Sequence, residues 1–282
     1  MKLNDNLILF EGRTNILLFI SNNNAYLIDT GNNKEMVDKV IKYLEDNNLN
    51  LKYIINTHSH VDHTKYNYYL QKITNCKIAT SNLERFLLEN NDLNNDLLSL
   101  GLESILKENE FFYNQNIKAS KLPCIKNLKY TNLKGHSYNM IGILIDNKYF
   151  FIGDSIFSLK ELEYFPYIHD IDEFLNTLNV LKKYEDKTII SSHIGIISNL
   201  LELIDLNQEF INKNIKIILS LINKKIDIDS LFLKYLDNRT LKTNKTTYFL
   251  YKKTFNSYIN YLVKNNLIKF VFENNSIYLI KL

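Results

Sequence analysis

The chain has 282 residues, 45% of them hydrophobic and 23% charged, with a net charge of +3. That balance fits one large globular domain, or one domain with a small appendage. It contains no run approaching the ~20 apolar residues of a membrane helix and no secretory leader pattern. Its two cysteines, Cys76 and Cys124, stand far apart and read as reduced thiols, so a disulfide scaffold is excluded and a cytoplasmic location without membrane attachment is expected.

Short apolar runs predict strands over 7–11, 15–20 and 25–29, the last ending in "LIDTG". Val37, Ile41 and Leu44 recur at helical spacing and predict a helix over 34–44. A β-branched run over 51–56 reads as a buried strand, and "THSHVDH" follows it directly. A short helix over 66–73 and a strand over 77–80 come next. Residues 81–106 are helical by pattern, with a break near 90–95. A strand over 128–133 leads into "KGHS", and a hairpin over 141–145 and 148–152 turns at Asp146–Asn147 and runs into "GDS". Asp170 with Glu173 three residues on marks the start of a helix over 170–184. A strand over 188–191 delivers "SSHIG". Two halves of strands and helices in this order suggest two mixed sheets stacked face to face with helices outside, an α/β four-layer αββα sandwich.

The chain has six histidines, and three of them lie between His58 and His63 together with Asp62. Imidazole and carboxylate suit zinc, iron or manganese, and a tight loop aims alternate residues in different directions. His58 and His60 can then serve one ion, and Asp62 and His63 a second beside it. His136, Asp154 and His193 each follow a predicted strand with a glycine within two residues, the place where α/β layers gather ligand sites. The sixth histidine, His169, belongs to no motif and is read as surface or lid, or as facing a substrate. Ser137 and Ser155, beside the ligands, are read as turn residues.

"LIDTG", "THSHVDH", "GHS", "GDS" and "SSHIG", in that order, resemble the motifs of the metallo-β-lactamase-fold superfamily over about residues 1–200, among them its lactamase-like protein 2 and glyoxalase II-like hydrolases. The resemblance implies that His58, His60 and His136 hold a first metal, that Asp62, His63 and His193 hold a second, and that Asp154 bridges them. Asp29 would stand behind the ligands and fix their loop. It implies a dinuclear hydrolase with two divalent ions, zinc first and iron or manganese as alternatives. The ions would activate a bridging hydroxide, and Asp62 would help to orient it. The H-x-H pattern argues against the flavodiiron branch. Tyr138 and Asn139 replace a Pro-Gly pair common in the family, and only 38 residues separate Asp154 from His193. That leaves no room for the large inserted domain of the nucleic-acid-processing members.

Residues 201–282 are expected to form a separate module after a catalytic domain over 1–200. From Leu200 onward there are 13 Lys/Arg against 7 Asp/Glu, so the earlier part is about three negative. Helices over 200–223 and 229–236, a third around Phe255–Val263, and two apolar strands about Asn274–Asn275 resemble a winged helix. The third helix is expected to turn Asn256, Ser257, Asn260, Tyr261 and Lys264 outward, a weakly basic face that makes nucleic acid a secondary partner. The expected substrate is a small molecule with an ester-like bond, a thioester or lactone first, and a homodimer is possible. A phosphodiesterase or endoribonuclease of the same fold, or a nucleic-acid-binding regulator, is the alternative.

Overall fold

A computed structural model describes residues 1–107, 112 and 115–282. The first sheet contains β1 (Lys2–Asn4), β2 (Leu7–Phe10), β3 (Ile16–Ser21), β4 (Asn24–Ile28), β5 (Asn50–Ile55) and β6 (Lys77–Ala79), paired in that order. Its first four strands form an antiparallel meander, and β4, β5 and β6 are parallel. The second sheet contains β7 (Leu128–Asn132), β8 (Ile141–Ile145), β9 (Tyr149–Phe151), β10 (Thr188–Ser191) and β11 (Gly195–Ile197), in reverse spatial order.

The strands read as continuous apolar runs because both of their faces are buried. Along β3, Leu17 and Phe19 point into the layer between the sheets, where they join Ile141, Ile143 and Phe151 from the second sheet. Ile16, Leu18 and Ile20 point the other way. They meet Val37, Val40 and Leu44 of α1 (Lys34–Asp46) and Leu70 of α3 (Asn67–Thr74). Outside the second sheet lie α8 (Ile171–Leu181), α9 (Leu200–Leu221) and the rest of the C-terminal module, sharing one apolar core. The result is the four-layer sandwich. The hairpin turn over residues 146–148 has Asp146 and Asn147 in the left-handed region, φ 51° and 53°, the sign that matches the twist of the flanking strands.

Four short helices complete the first half: α2 (Val61–Thr64), α4 (Asn82–Glu89), α5 (Asn91–Leu98) and α6 (Glu103–Lys107). The helix break expected near 90–95 falls at Asn90, with a second at 99–102. A short α7 (Leu159–Glu163) closes its own first turn with a Ser158–Glu161 capping box.

The C-terminal module continues from α9 through β12 (Ile226–Asp227), α10 (Ile228–Asn238), α11 (Lys245–Lys264), β13 (Ile268–Glu273) and β14 (Ser276–Lys281), with sheet order β12-β14-β13. One expectation is corrected here. Ser257 does not face outward: it is buried, and its hydroxyl accepts the Ile171 N–H at 2.9 Å. Thr254, one turn earlier, accepts the Ile168 N–H at 3.0 Å. These two hydroxyls satisfy amides at the entry to α8, so this face of α11 is docked on the first module. Among the described residues no helix is long and apolar enough to cross a membrane.

Candidate metal centre

The site forms where β4, β5, β9 and β10 end. Asp29 follows β4 in the left-handed region, φ 58°, a conformation aspartate tolerates better than most residues. This turns its carboxylate under the loop after β5. One oxygen accepts the Thr57 N–H at 2.8 Å. The other accepts the Thr57 hydroxyl at 2.8 Å and the His63 Nδ1–H at 2.8 Å. His63 is thereby held with Nε2 toward the cavity, the way an outer carboxylate commonly fixes a ligand's tautomer. The same orientation recurs elsewhere. His136 Nδ1 donates to the Tyr167 carbonyl at 3.0 Å, and His193 Nδ1 donates to the Arg13 carbonyl at 2.8 Å. His58 Nδ1 lies 3.0 Å from the Thr57 hydroxyl, whose own proton goes to Asp29.

The seven residues converge as two groups. His58 Nε2 and His136 Nε2 each lie 2.9 Å from His60 Nδ1. Asp62, His63, Asp154 and His193 form the second group. Within it, Asp154 Oδ2 is 3.2 Å from both His63 Nε2 and His193 Nε2, and Asp62 Oδ2 is 3.7 and 3.5 Å from the same two nitrogens. Asp154 Oδ2 also lies 3.4 Å from His136 Nε2, so one carboxylate oxygen touches both groups.

Two features say that this arrangement wants cations. With His58 and His136 protonated on Nδ1, two lone pairs face His60 Nδ1, and a single N–H there satisfies only one of them. Asp154 Oδ1 is buried without a hydrogen-bond partner, an expensive state for a carboxylate. The residues therefore fit a pair of divalent ions: three imidazoles for one, and two imidazoles and two carboxylates for the other.

Charge divides the groups further. Burial pushes His60 down to about 4 and His136 down to about 3. Burial likewise takes His58 well below the usual histidine range. The first trio is thus neutral and ready to ligate. Burial also opposes charge on His193, but Asp154 and Asp62 outweigh it and push His193 up to about 12. His63 is raised well above its ordinary value by Asp154, Asp62 and Asp29 in spite of its burial. Protons on these two histidines balance the carboxylates where an ion would otherwise do so.

Glu84 on α4 was not singled out by sequence reasoning, and it ties the ligand loops together. Its fully buried carboxylate accepts the Ser59 N–H at 3.0 Å and the Ser59 hydroxyl at 2.7 Å on one oxygen. On the other it accepts the Ser137 hydroxyl and the Asn139 N–H, both at 2.7 Å. Ser59 sits between His58 and His60, and Ser137 follows His136. Asn139, one of the two departures from Pro-Gly, thus contributes a donor to this post. Gly135 is required beside His136, because it has φ +115° and a Cβ there would lie 2.3 Å from the Phe174 nitrogen. Ser155 donates to the Ile152 carbonyl, a turn role as expected. His169 stands apart from both groups, its ring 3.8 Å from that of Tyr138.

Above the two groups opens a cavity of about 300 Å³. His60, Asp62, His136, Asp154 and His193 form its floor, and Leu250 of α11 lies in its wall.

A family model described as the metallo-beta-lactamase superfamily matches residues 9–193. A hydroxyacylglutathione hydrolase of Pelagibacter ubique (strain HTCC1062) is 27% identical over 190 residues, which span 67% of this chain and 70% of the relative. Among solved structures, a metallo-beta-lactamase family protein from Thermus thermophilus aligns over 100% of both chains with TM-score 0.75 and 14% identity. A beta-lactamase domain protein from Burkholderia ambifaria aligns over 100% of this chain and 93% of its own, with TM-score 0.70 and 13% identity. Both likenesses extend through the C-terminal module. The family match runs from β2 to the last of the seven convergent residues, and with that the chain belongs to the metallo-beta-lactamase superfamily.

Proposed function

We propose that the protein is a dinuclear metal-dependent hydrolase of an ester-like bond, with a thioester or lactone as substrate and zinc as the first candidate metal. The observation that carries this reading is the convergence of two ligand groups on one Asp154 oxygen at the floor of an open cavity. The Pelagibacter relative, a hydrolase by name, adds support. His58, His60 and His136 would hold one ion. Asp62, His63 and His193 would hold the other, with Asp154 between them. Bound ions would supply Lewis acidity toward a carbonyl oxygen and an activated water at neutral pH.

The chain's own residues set the rest. Asp29, Tyr167 and Arg13 fix three imidazole orientations, so the site needs little rearrangement. Asp62 and His193 are about a fifth exposed, 20% and 22%, and face the cavity. Asp62 would help to orient the attacking water. The C-terminal module acts as a winged helix turned to a wall: the helix–strand–helix–helix–hairpin order supports that description, and Leu250 reaches the cavity. Nucleic-acid binding through α11 has less support, since Thr254 and Ser257 on that helix are already engaged.

The test is elemental analysis of purified protein, followed by a screen of thioesters, lactones, phosphodiesters and RNA with and without chelator. About two ions per chain and chelator-sensitive cleavage of an ester-like bond are expected. A preparation that binds less than about one ion after reconstitution, or that cleaves only RNA, overturns the reading.

A further inference from the structure

We infer that the substrate of this cavity carries an apolar acyl chain, seated between α5 and α11, and no anionic tail at that wall. The inference rests on the hydrolase reading above. The cavity wall contains Leu98 of α5, Phe112, Phe157, Tyr164, Pro166 and Leu250 of α11. Leu98 and Phe112 belong to a small apolar cluster of their own, against which Tyr167 and Leu250 pack. This wall is therefore built jointly by the first module and the C-terminal one.

Charge points the same way. Among the described residues, no lysine or arginine lines the cavity. The carboxylates that do are Asp62 and Asp154 on the floor and Glu161 on the side. Glu161 is itself held by the Ser158 N–H and hydroxyl. Lys253, one turn beyond Leu250, lies beside His169 and outside the lining. A carboxylate or phosphate leaving the floor for this wall would lose water, meet no lysine or arginine among the described residues, and find Glu161 as like charge. Hydroxyacylglutathione, named for the Pelagibacter relative, carries two free carboxylates, and among the described residues this wall offers them no cationic partner. An alkyl chain loses nothing on entering. The volume, at the lower end of the ~300–1,000 Å³ typical of ligand pockets, favours a short to medium chain. Hydrolysis would add water across the acyl–sulfur or acyl–oxygen bond, giving a carboxylic acid and a thiol or alcohol.

The test uses the metal-loaded full chain with neutral N-acetylcysteamine thioesters of acetate, butyrate and hexanoate, and with S-lactoylglutathione. In parallel, acetamide and hexanamide are titrated into metal-free protein by calorimetry. A buried methylene is worth roughly fourfold. We expect kcat/KM to rise at least ~tenfold from acetyl to hexanoyl, allowing for partial burial. The hexanoyl thioester should exceed S-lactoylglutathione, and hexanamide should bind more tightly than acetamide. Leu250→Glu should flatten the series with metal content retained, and the milder Leu250→Ala should reduce its slope. Turnover with a flat series, or a preference for S-lactoylglutathione, overturns the inference and leaves the hydrolase reading intact. Selective hexanamide binding with no turnover of any ester does the reverse.

Discussion

The trio of His58, His60 and His136 and the quartet of Asp62, His63, Asp154 and His193 meet at and beneath one cavity floor, but burial acts on them with opposite outcomes. In the trio no carboxylate overcomes desolvation, and the imidazoles are neutral. In the quartet two carboxylates do overcome it, and His63 and His193 hold protons. The supports differ too. The trio is braced by Glu84 across two loops, and the quartet by Asp29 beneath one. Two sites about one oxygen are thus tuned separately, by what lies behind them.

The largest expected effect comes from removing the shared atom. Asp154→Ala should strip ions from both groups and depress activity well beyond the ~10–100-fold typical of losing an outer support such as Asp29. Elemental analysis and rates of the two variants side by side check this, and equal retention would remove Asp154 from its bridging role.

Glu84→Ala should separate the groups. It leaves four donors without their acceptor, of which the two backbone N–H groups have no alternative, at about 1–3 kcal/mol each. Affinity at the trio should fall ~10–100-fold, with the quartet less affected. Cobalt substitution, read by visible absorption at increasing metal ratio, reports which site fills. A uniform loss at both sites would refute the division of labour.

Protons sharpen the contrast further. His193, raised to about 12, holds its proton across neutral pH, and His63 is raised in the same sense. In the metal-free chain this contribution to stability is fully present below about pH 6.5 and is lost only as pH climbs through the raised values. His60 and His136, lowered to about 4 and about 3, work the other way: stability falls as pH drops from about 6.5 toward those values. Filling the quartet at pH 7 should release about two protons and filling the trio close to none, measurable by calorimetry in buffers of different ionisation enthalpy. On acidification the quartet should lose its ion first.

The smallest effect tests the wall rather than the floor. Ser257→Ala removes the acceptor for the Ile171 N–H and should cost about 1 kcal/mol in denaturant unfolding, with metal content unchanged.

The strands were legible because each apolar run ends in a residue of a different character. Histidine or aspartate after a β-branched run marks the end of a buried strand and the start of a site, as at Ile55 to His58 and Ile152 to Asp154. The bends at Asp146–Asn147 and Asn274–Asn275 were legible from residues that accept left-handed backbone. Glu84 was hidden because its signal is local and its role is distant. Glu84 lies in a stretch that reads only as helical by pattern, whereas its carboxylate serves Ser137 and Asn139, more than fifty residues away. Ser257 was misread for a related reason: a hydroxyl on a helix looks solvent-facing until the amide it satisfies is known. The short β11 pairs with β10 immediately after the three-residue turn that carries His193, and it is too brief to show a period of its own.

The position of Asp154 Oδ2 also makes occupancy of one ligand group a variable for the other. It lies within 3.4 Å of nitrogens from both, so an ion on either side changes the charge the other ion meets. By linkage, whatever factor the first ion imposes on the affinity of the second, the second imposes on the first. Metal uptake by this chain should therefore follow a coupled isotherm rather than that of two independent sites.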